Sequence, residues 1–210
     1  MFKKRLLSFL LIFVLSISFT ACSSSGGVST PDECINISAD FKSMFDKSLE
    51  RTGFSEKDIV SVSYQSSEYV KYYLDVASQY MDDAASLPVD DESDSIMSIG
   101  TYYGKAMNVV FNSDKKITKS TDIAYDSIDK NFIPKYTALS ALNAALDYSG
   151  IKCSDISILQ MIIDGSTWVV SIAIDDSNSD NGFFWYDDIV VRSDTCEIVT
   201  VSESTVDIQK

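Results

Sequence analysis

The stretch "TALSALNAALDYSGIKCSDISIL", Thr137 to Leu159, decides the fold, because an earlier stretch has the same pattern. "DFKSMFDKSLERTGFSEKDIVSV", Asp40 to Val62, aligns with it without a gap when each residue is matched with the residue 97 positions later. Gly53 then falls on Gly150. The alignment predicts that one structural unit occurs twice in the chain.

Each of the two stretches predicts a helix that ends at a glycine. Apolar residues recur in both at the spacing of one helical face. Asp40 and Thr137 are residue types that cap helix N-termini. Gly53 and Gly150 stand where a helix ends in a left-handed residue.

Strand-like runs follow each predicted helix. In the second half they alternate apolar and polar residues or are rich in β-branched and aromatic ones, and they form an antiparallel meander: "DISILQMII", "TWVVSIAID", "FFWYDDIVV" and "CEIVTV". The first half offers "DIVSVSY" after its helix, and later "YYGKAMNVVF", the turn "NSDK" and "KITKS", a hairpin one residue shorter than its counterpart. We therefore expect an α+β protein made of two modules, each a helix on an antiparallel sheet.

The first half contains extra residues that the second half lacks. They include "SQYMDDAASLPVDDESDSIMS", residues 78–98, which is predicted as a polar and acidic insertion. Residues 68–83, which overlap the start of this insertion, fit either a strand or a helix. The repeat favours a strand there, whereas the local spacing of apolar residues favours a helix, and both alternatives stay open.

The last hairpin resembles the PepSY domain family, in which an aromatic, alternating strand leads into a turn with the pattern Asp-x-x-Thr-Gly-x-Ile. Here the matching positions after "FFWYDDIVV" are Arg192, Thr195, Cys196 and Ile198. Arg192 stands in place of the acid, and Cys196 in place of the turn glycine. The resemblance covers roughly residues 135–208, and less closely residues 36–121. It implies non-catalytic modules that bind or restrain peptidases.

The N-terminus has the features of a secretion signal. Lys3, Lys4 and Arg5 precede an apolar run of 14 residues from Leu6 to Phe19. A helix that crosses a bilayer needs about 20 apolar residues, so this run is short for a permanent anchor. The following "FTAC" resembles a bacterial lipobox, which implies cleavage before Cys22 and attachment of lipid acyl chains, palmitate among them, to its thiol. An ordinary cleaved signal with an incidental cysteine is the alternative.

These patterns predict the domain organisation. It comprises a signal peptide (1–21), a Ser/Gly-rich tether (22–35), a first PepSY-like module with its acidic insertion (36–121), a linker (122–134) and a second PepSY-like module (135–210).

Composition narrows the function classes. Removal of residues 1–21 takes three positive charges, so the formal net charge changes from −14 to −17. Such acidity argues against nucleic-acid binding, which needs clustered Lys and Arg. The chain has no histidine, which is the commonest general base and metal ligand. We therefore expect no catalytic residues and no enzyme activity.

Neither cofactor nor metal is expected. "DDSNSDNGFFWYDD", residues 175–188, has carboxylates at the alternate spacing of a calcium loop, but Gly182 is one position late for an EF-hand turn, and a polar hairpin is favoured. "DDESD", residues 90–94, is interpreted as a solvated acidic loop. Cys34, Cys153 and Cys196 leave the disulfide pattern open, although we expect Cys153 and Cys196 to lie at opposite ends of the sheet.

Together these features predict a lipoprotein that Cys22 anchors to the outer face of a bacterial membrane. Clusters of aromatic residues suggest a sheet face that either packs or binds, so the predicted role is to hold a protein or peptide partner without turnover. The alternative is a lipoprotein that binds a small molecule or a cation for a transporter or sensor.

Overall fold

The structure, a computed structural model, describes residues 34–80, 94–127, 134–175 and 183–204. In these ranges, three α-helices accompany one open antiparallel sheet of eight strands. The predicted α+β class is confirmed.

The two halves contain similar elements in the same order. A short 3₁₀ turn, Glu56–Asp58 in the first half and Cys153–Asp155 in the second, precedes the first strand of each half. The second helix of the chain, α2 (Ser67–Tyr80), has no counterpart among the described residues of the second half. The bounds are α1 Ala39–Thr52, β1 Ile59–Gln65, α2 Ser67–Tyr80, β2 Ser95–Thr101, β3 Lys105–Phe111, β4 Ile117–Ala124, α3 Ala138–Ser149, β5 Ile156–Asp164, β6 Thr167–Asp175, β7 Phe183–Arg192 and β8 Ile198–Ser204.

The strands of both halves join in one sheet with the order β4-β3-β2-β1-β5-β6-β7-β8. β1 and β5 are antiparallel neighbours at its centre, and Ser63 pairs with Gln160. These two residues are also matched by the repeat, since they lie 97 positions apart. The pairing therefore relates the two halves by a local two-fold axis through this residue pair.

The helix ends follow the sequence with one correction. Thr137 caps α3 as expected, and its side chain accepts a hydrogen bond from the amide of Ser140. At α1 the cap is Ser38 and not Asp40, which lies in the first turn of the helix. Gly53 and Gly150 both have φ of 71°, the left-handed conformation that was expected.

The main core lies between the sheet and the pair α1 and α3. Phe45 of α1 and Leu142 of α3 belong to the same buried cluster as Val62, Leu159 and Trp168 of the strands. Because alternate strand residues point to one face, both helices cover the same face of the sheet. Their apolar surfaces form a single core.

Helix α2 occupies the segment for which the sequence allowed either a strand or a helix. Residues 67–80 are helical, and Ser66 caps them by accepting a hydrogen bond from the amide of Tyr69 at 3.3 Å. Val70 is fully buried, and the helix contacts β2 and β5. Ile96 and Ile158 are buried outside the main cluster and alternate with residues inside it, so α2 lies on the opposite face of the sheet.

Two predicted boundaries need correction. The insertion was predicted to span residues 78–98, but β2 already begins at Ser95. Helix α2 also belongs to the extra residues of the first half, so these residues begin before position 78. Residues 81–93 lie outside the described residues. The predicted linker 122–134 is too long, because β4 continues to Ala124. The residues of β4 are mostly polar and exposed, so no apolar pattern in the sequence shows where this strand ends.

The final hairpins of the two halves differ by one residue, as expected. In the first, the amide of Asn112 donates to the carbonyl of Lys116, whereas in the second the amide of Arg192 donates to the carbonyl of Glu197. Lys115 has φ of 59° and Cys196 has φ of 62°. Cys196 thus has the left-handed backbone that favours glycine at the position where the PepSY pattern has one.

Candidate functional site

A cleft of about 640 Å³ opens at the end of the sheet where α1 and α2 begin. The N-terminal residues of α1, the Ser66–Glu68 segment and the 3₁₀ turn before β5 line it, together with Lys115 and the end of β6. Its volume falls within the range of small-molecule sites, which is about 300–1,000 Å³.

Carboxylates dominate the charge of this cleft. Asp40, Glu68, Asp155 and Asp175 line it, against the single cation Lys115. The amide of Glu68 itself holds the pKa of its carboxyl below the usual value, and the hydroxyls of Ser66 and Ser67 and the charge of Lys115 add to this. The cleft is therefore negative at neutral pH and suits a polar or cationic ligand.

The floor of the cleft is aromatic. The ring of Tyr64 meets that of Phe41 edge to face, with centroids 5.5 Å apart. Burial raises the pKa of the Tyr64 hydroxyl to about 12, and the charge of Glu68 contributes. This hydroxyl therefore stays neutral at physiological pH. Within the described ranges, no three Cys, Asp or Glu side chains come close enough together to hold a metal ion.

A second candidate surface is the sheet face opposite α1 and α3, here called the open face. One row of small polar residues crosses six strands on this face, formed by successive cross-strand partners Thr121, Asn108, Ser98, Ser63, Gln160 and Ser171. The Ser98 hydroxyl donates to the side-chain carbonyl of Asn108 at 2.6 Å. The row passes through the local two-fold axis.

The flanks of this row differ. On one side α2 buries Ile96 and Ile158. On the other side the Tyr125 ring lies against Gly100 and Ser61. Beyond Ser61, the partner residue Ile162 is 47% exposed. Ile162 is thus an exposed apolar side chain next to the polar row, on the open face around β5 and β6.

The predicted site residues are found in different places. Cys22 lies outside the described residues, as do residues 176–182 of the calcium-like stretch, while Asp187 belongs to β7. Asp94 was expected in a solvated loop, but it is only 2% exposed immediately before β2. This burial could not be predicted, because four of the five residues in that stretch are acidic.

The strand register separates two of the cysteines, as the sequence analysis expected. Cys153 directly precedes β5, whose first residue Ile156 pairs with Ile174 at the end of β6. Cys196 follows the far end of β7. Cys34 was assigned to the tether, yet it packs against the edge of the main core.

Comparisons with known proteins add little to this geometry. No protein-family model matches the chain, and no curated protein matches it. Among solved structures, it is similar to the crystal structure of a "putative lipoprotein (CD1622) from Clostridium difficile 630". The identity is 13%, the match covers 83% of this chain and 97% of that one, and the TM-score is 0.40. A similarity at this level carries no argument about fold or function.

None of the helices in the described ranges is long and apolar enough to span a membrane.

Proposed function

We propose that this chain is a lipid-anchored protein on the outer face of a bacterial membrane that holds a protein or peptide partner without turnover. The observation that carries the binding role is the open face around β5 and β6. The exposed Ile162 and Gln160 lie there beside partly exposed residues such as Val169 and Ser171.

The chemistry of this face supports a polypeptide partner. Small hydroxyl and amide side chains can exchange hydrogen bonds with a backbone or with polar side chains, and Ile162 supplies an apolar contact among them. None of the residues in the polar row is charged. The row therefore lacks the strong negative charge of the rest of the chain, which would repel most acidic partners.

The anchor rests on the sequence. The basic residues, the apolar run and "FTAC" place Cys22 where a lipobox has its modified cysteine. Acyl chains are the means of attachment in this proposal, since the strongly negative net charge of the mature chain opposes binding to anionic lipids.

The finer part of the proposal is that the two halves are copies of one PepSY-like module. The shared element order, the 97-residue offset at Ser63 and Gln160, and the left-handed residue in each final hairpin support it. In this interpretation α2 was added to the first copy between β1 and β2.

The anchor is tested by fractionation and mass spectrometry of the wild-type chain and the Cys22→Ser variant. The wild type should enter the membrane fraction and carry a mass increase on Cys22, and the variant should not. A wild-type chain in the soluble fraction with an unmodified Cys22 overturns the anchor.

Site-specific photo-crosslinking in cells tests the binding role. A crosslinking residue at Ile162 should give one discrete adduct with an envelope protein, whereas the same residue at Tyr148, which is 60% exposed on α3, should not. Gln160→Arg on the open face should weaken the Ile162 adduct. Equal adducts from both positions, or none from Ile162, contradict the proposal.

The cleft favours the second candidate function, binding of a small polar or cationic molecule. Its volume and its carboxylates are the specific observations. Thermal scans with small amines, amino acids and Ca²⁺ would test this candidate. Stabilisation that Glu68→Gln abolishes and Gln160→Arg leaves intact would assign the function to the cleft.

A further inference from the structure

We infer that Cys34 and Cys196 form a disulfide bond that fixes the segment before α1 to the second half of the chain. Both residues are thiols in the structure. Both are partly buried against the same core. The inference goes beyond the proposed function and uses only its extracytoplasmic location.

Cys196 is held beside the first turn of α3. Its backbone amide donates to the carbonyl of Arg192 at 2.9 Å, which fixes the hairpin turn. Its thiol donates to the backbone carbonyl of Ser140 at 3.4 Å. The sulfur therefore lies over the N-terminal turn of α3.

Cys34 is held near the same helix by the residues that follow it. The backbone amide of Asn36 donates to the side-chain carbonyl of Asn143 at 2.9 Å, and the Asn36 side chain reaches Asp147 at 3.5 Å. The carbonyl of Cys34 accepts from the amide of Ile37 at 3.2 Å, so the chain turns back on itself there.

The contacts with α3 place both cysteines near the same helix. Ser140, Asn143 and Asp147 lie three and four residues apart and so share one side of the helix. Asn36 contacts Asn143 and Asp147, and Cys196 contacts the carbonyl of Ser140. Cys34 therefore needs to extend only about one helical turn along α3 to meet Cys196. Burial raises the pKa of Cys196, and the charge of a Cys34 thiolate raises it further, as expected for two neighbouring thiols.

Formation of the bond needs an oxidant. This oxidant is a disulfide, either that of oxidised glutathione or that of an exported thiol oxidase. A Cys34 thiolate attacks one sulfur of that disulfide, and one thiolate of the oxidant leaves. The Cys196 thiolate then attacks the sulfur of Cys34, and the second thiolate leaves. Two protein thiols are oxidised, one disulfide is reduced to two thiols, and the two protons pass to the leaving thiolates.

Cys153 provides the internal control. It is 7% exposed and lies at the end of the sheet remote from Cys196. A strand of about eight residues spans roughly 26 Å, and a disulfide needs Cα atoms within about 7 Å. Cys153 therefore cannot replace Cys34 as the partner of Cys196 without refolding.

The test uses the secreted chain carrying Cys22→Ser, equilibrated with a mixture of oxidised and reduced glutathione, alkylated and digested without reductant. Mass spectrometry should show the peptide of Cys34 joined to that of Cys196, with Cys153 as a thiol. Oxidation should raise the Tm by about 5–15 °C, because the bond closes a very long loop. This rise should be lost in Cys34→Ser and Cys196→Ser and kept in Cys153→Ser.

Cys196→Ser gives a second readout that does not depend on stability. Without the resolving thiol, one glutathione should remain attached to Cys34. The inference is overturned if Cys34 and Cys196 are both alkylated after equilibration, or if either pairs with Cys153. Because these measurements use purified protein, they succeed or fail independently of the membrane anchor and of any partner.

Discussion

At the scale of single residues, the thiol of Cys196 couples stability to alkaline pH. Burial raises its pKa to about 11, from a usual value near 9. The folded chain keeps this proton at a pH where the unfolded chain has lost it. Its stabilising contribution is therefore complete below pH 9 and is lost as the pH rises through about 11.

We expect the Tm of the reduced protein to fall between pH 9 and pH 11 more steeply in the wild type than in Cys196→Ser. Scans in a reductant at several pH values measure the difference between the two chains. Tyr64, whose pKa is raised to about 12, titrates in both and cancels in this difference. Parallel curves for the two chains would contradict the prediction.

Gly100 shows how closely the open face is packed beside the polar row. A methyl group there would collide with the hydroxyl of Ser61 and lie 3.0 Å from the ring of Tyr125. Gly100→Ala should therefore lower the free energy of unfolding by about 1–3 kcal/mol in urea denaturation. Ser61→Ala in the same chain should recover part of this loss. An additive effect of the two substitutions would place the strain elsewhere.

At the scale of elements, the N-cap of α1 is Ser38, whereas the sequence analysis had predicted Asp40. Ser38→Ala should cost about 1 kcal/mol, because its hydroxyl accepts from the amide of Phe41 at 3.2 Å. Thr137→Ala should cost a similar amount at α3. Asp40→Ala should cost less, because Asp40 is not the cap and its carboxylate in the first turn contributes through the helix dipole. Equal losses for Ser38→Ala and Asp40→Ala in urea denaturation would be inconsistent with this assignment.

The elements also show what the sequence could predict. β6 was delimited correctly at Thr167–Asp175, since strict alternation marks both of its ends. The helix at 67–80 could not be chosen over a strand, because Val70 suits both periods and only its burial against β2 and β5 decides. The comparison of the two halves favoured the strand, because the second half has a strand after its first strand. The comparison could not reveal that a helix had been added to the first half at this point.

At the scale of the whole molecule, the shared core makes the two halves one unit of stability. Phe45 and Leu142 come from different halves and belong to one buried cluster. Both tryptophans lie in the second half. Phe45→Leu should nonetheless lower the midpoint followed by tryptophan fluorescence as much as the midpoint followed by far-UV circular dichroism, with a cost of about 1 kcal/mol.

Leu142→Val is the matched change in the second half and should shift both midpoints by a similar amount. If Phe45→Leu leaves the fluorescence midpoint in place while the dichroism curve becomes biphasic, the halves unfold separately.

The candidate sites were less accessible to sequence reasoning than the fold. The polar row of the open face depends on the registers of five strand pairs, and no local pattern connects Asn108 with Gln160. The contact between Asn36 and α3 depends on long-range hydrogen bonds to Asn143 and Asp147, so nothing in the Ser/Gly-rich tether predicted that the segment after Cys34 lies against this helix. Cys22 was predicted from a local motif alone, and the described residues do not include it.

The central ladder between β1 and β5 has a consequence for how fast the chain folds. Every other strand pair in the sheet joins consecutive strands, whereas this one brings together segments that are nearly a hundred residues apart. Closing so long a loop costs entropy before any contact repays it. We expect each group of four strands to collapse early, with their docking along Ser63 and Gln160 as the slow step that commits the chain to its native topology.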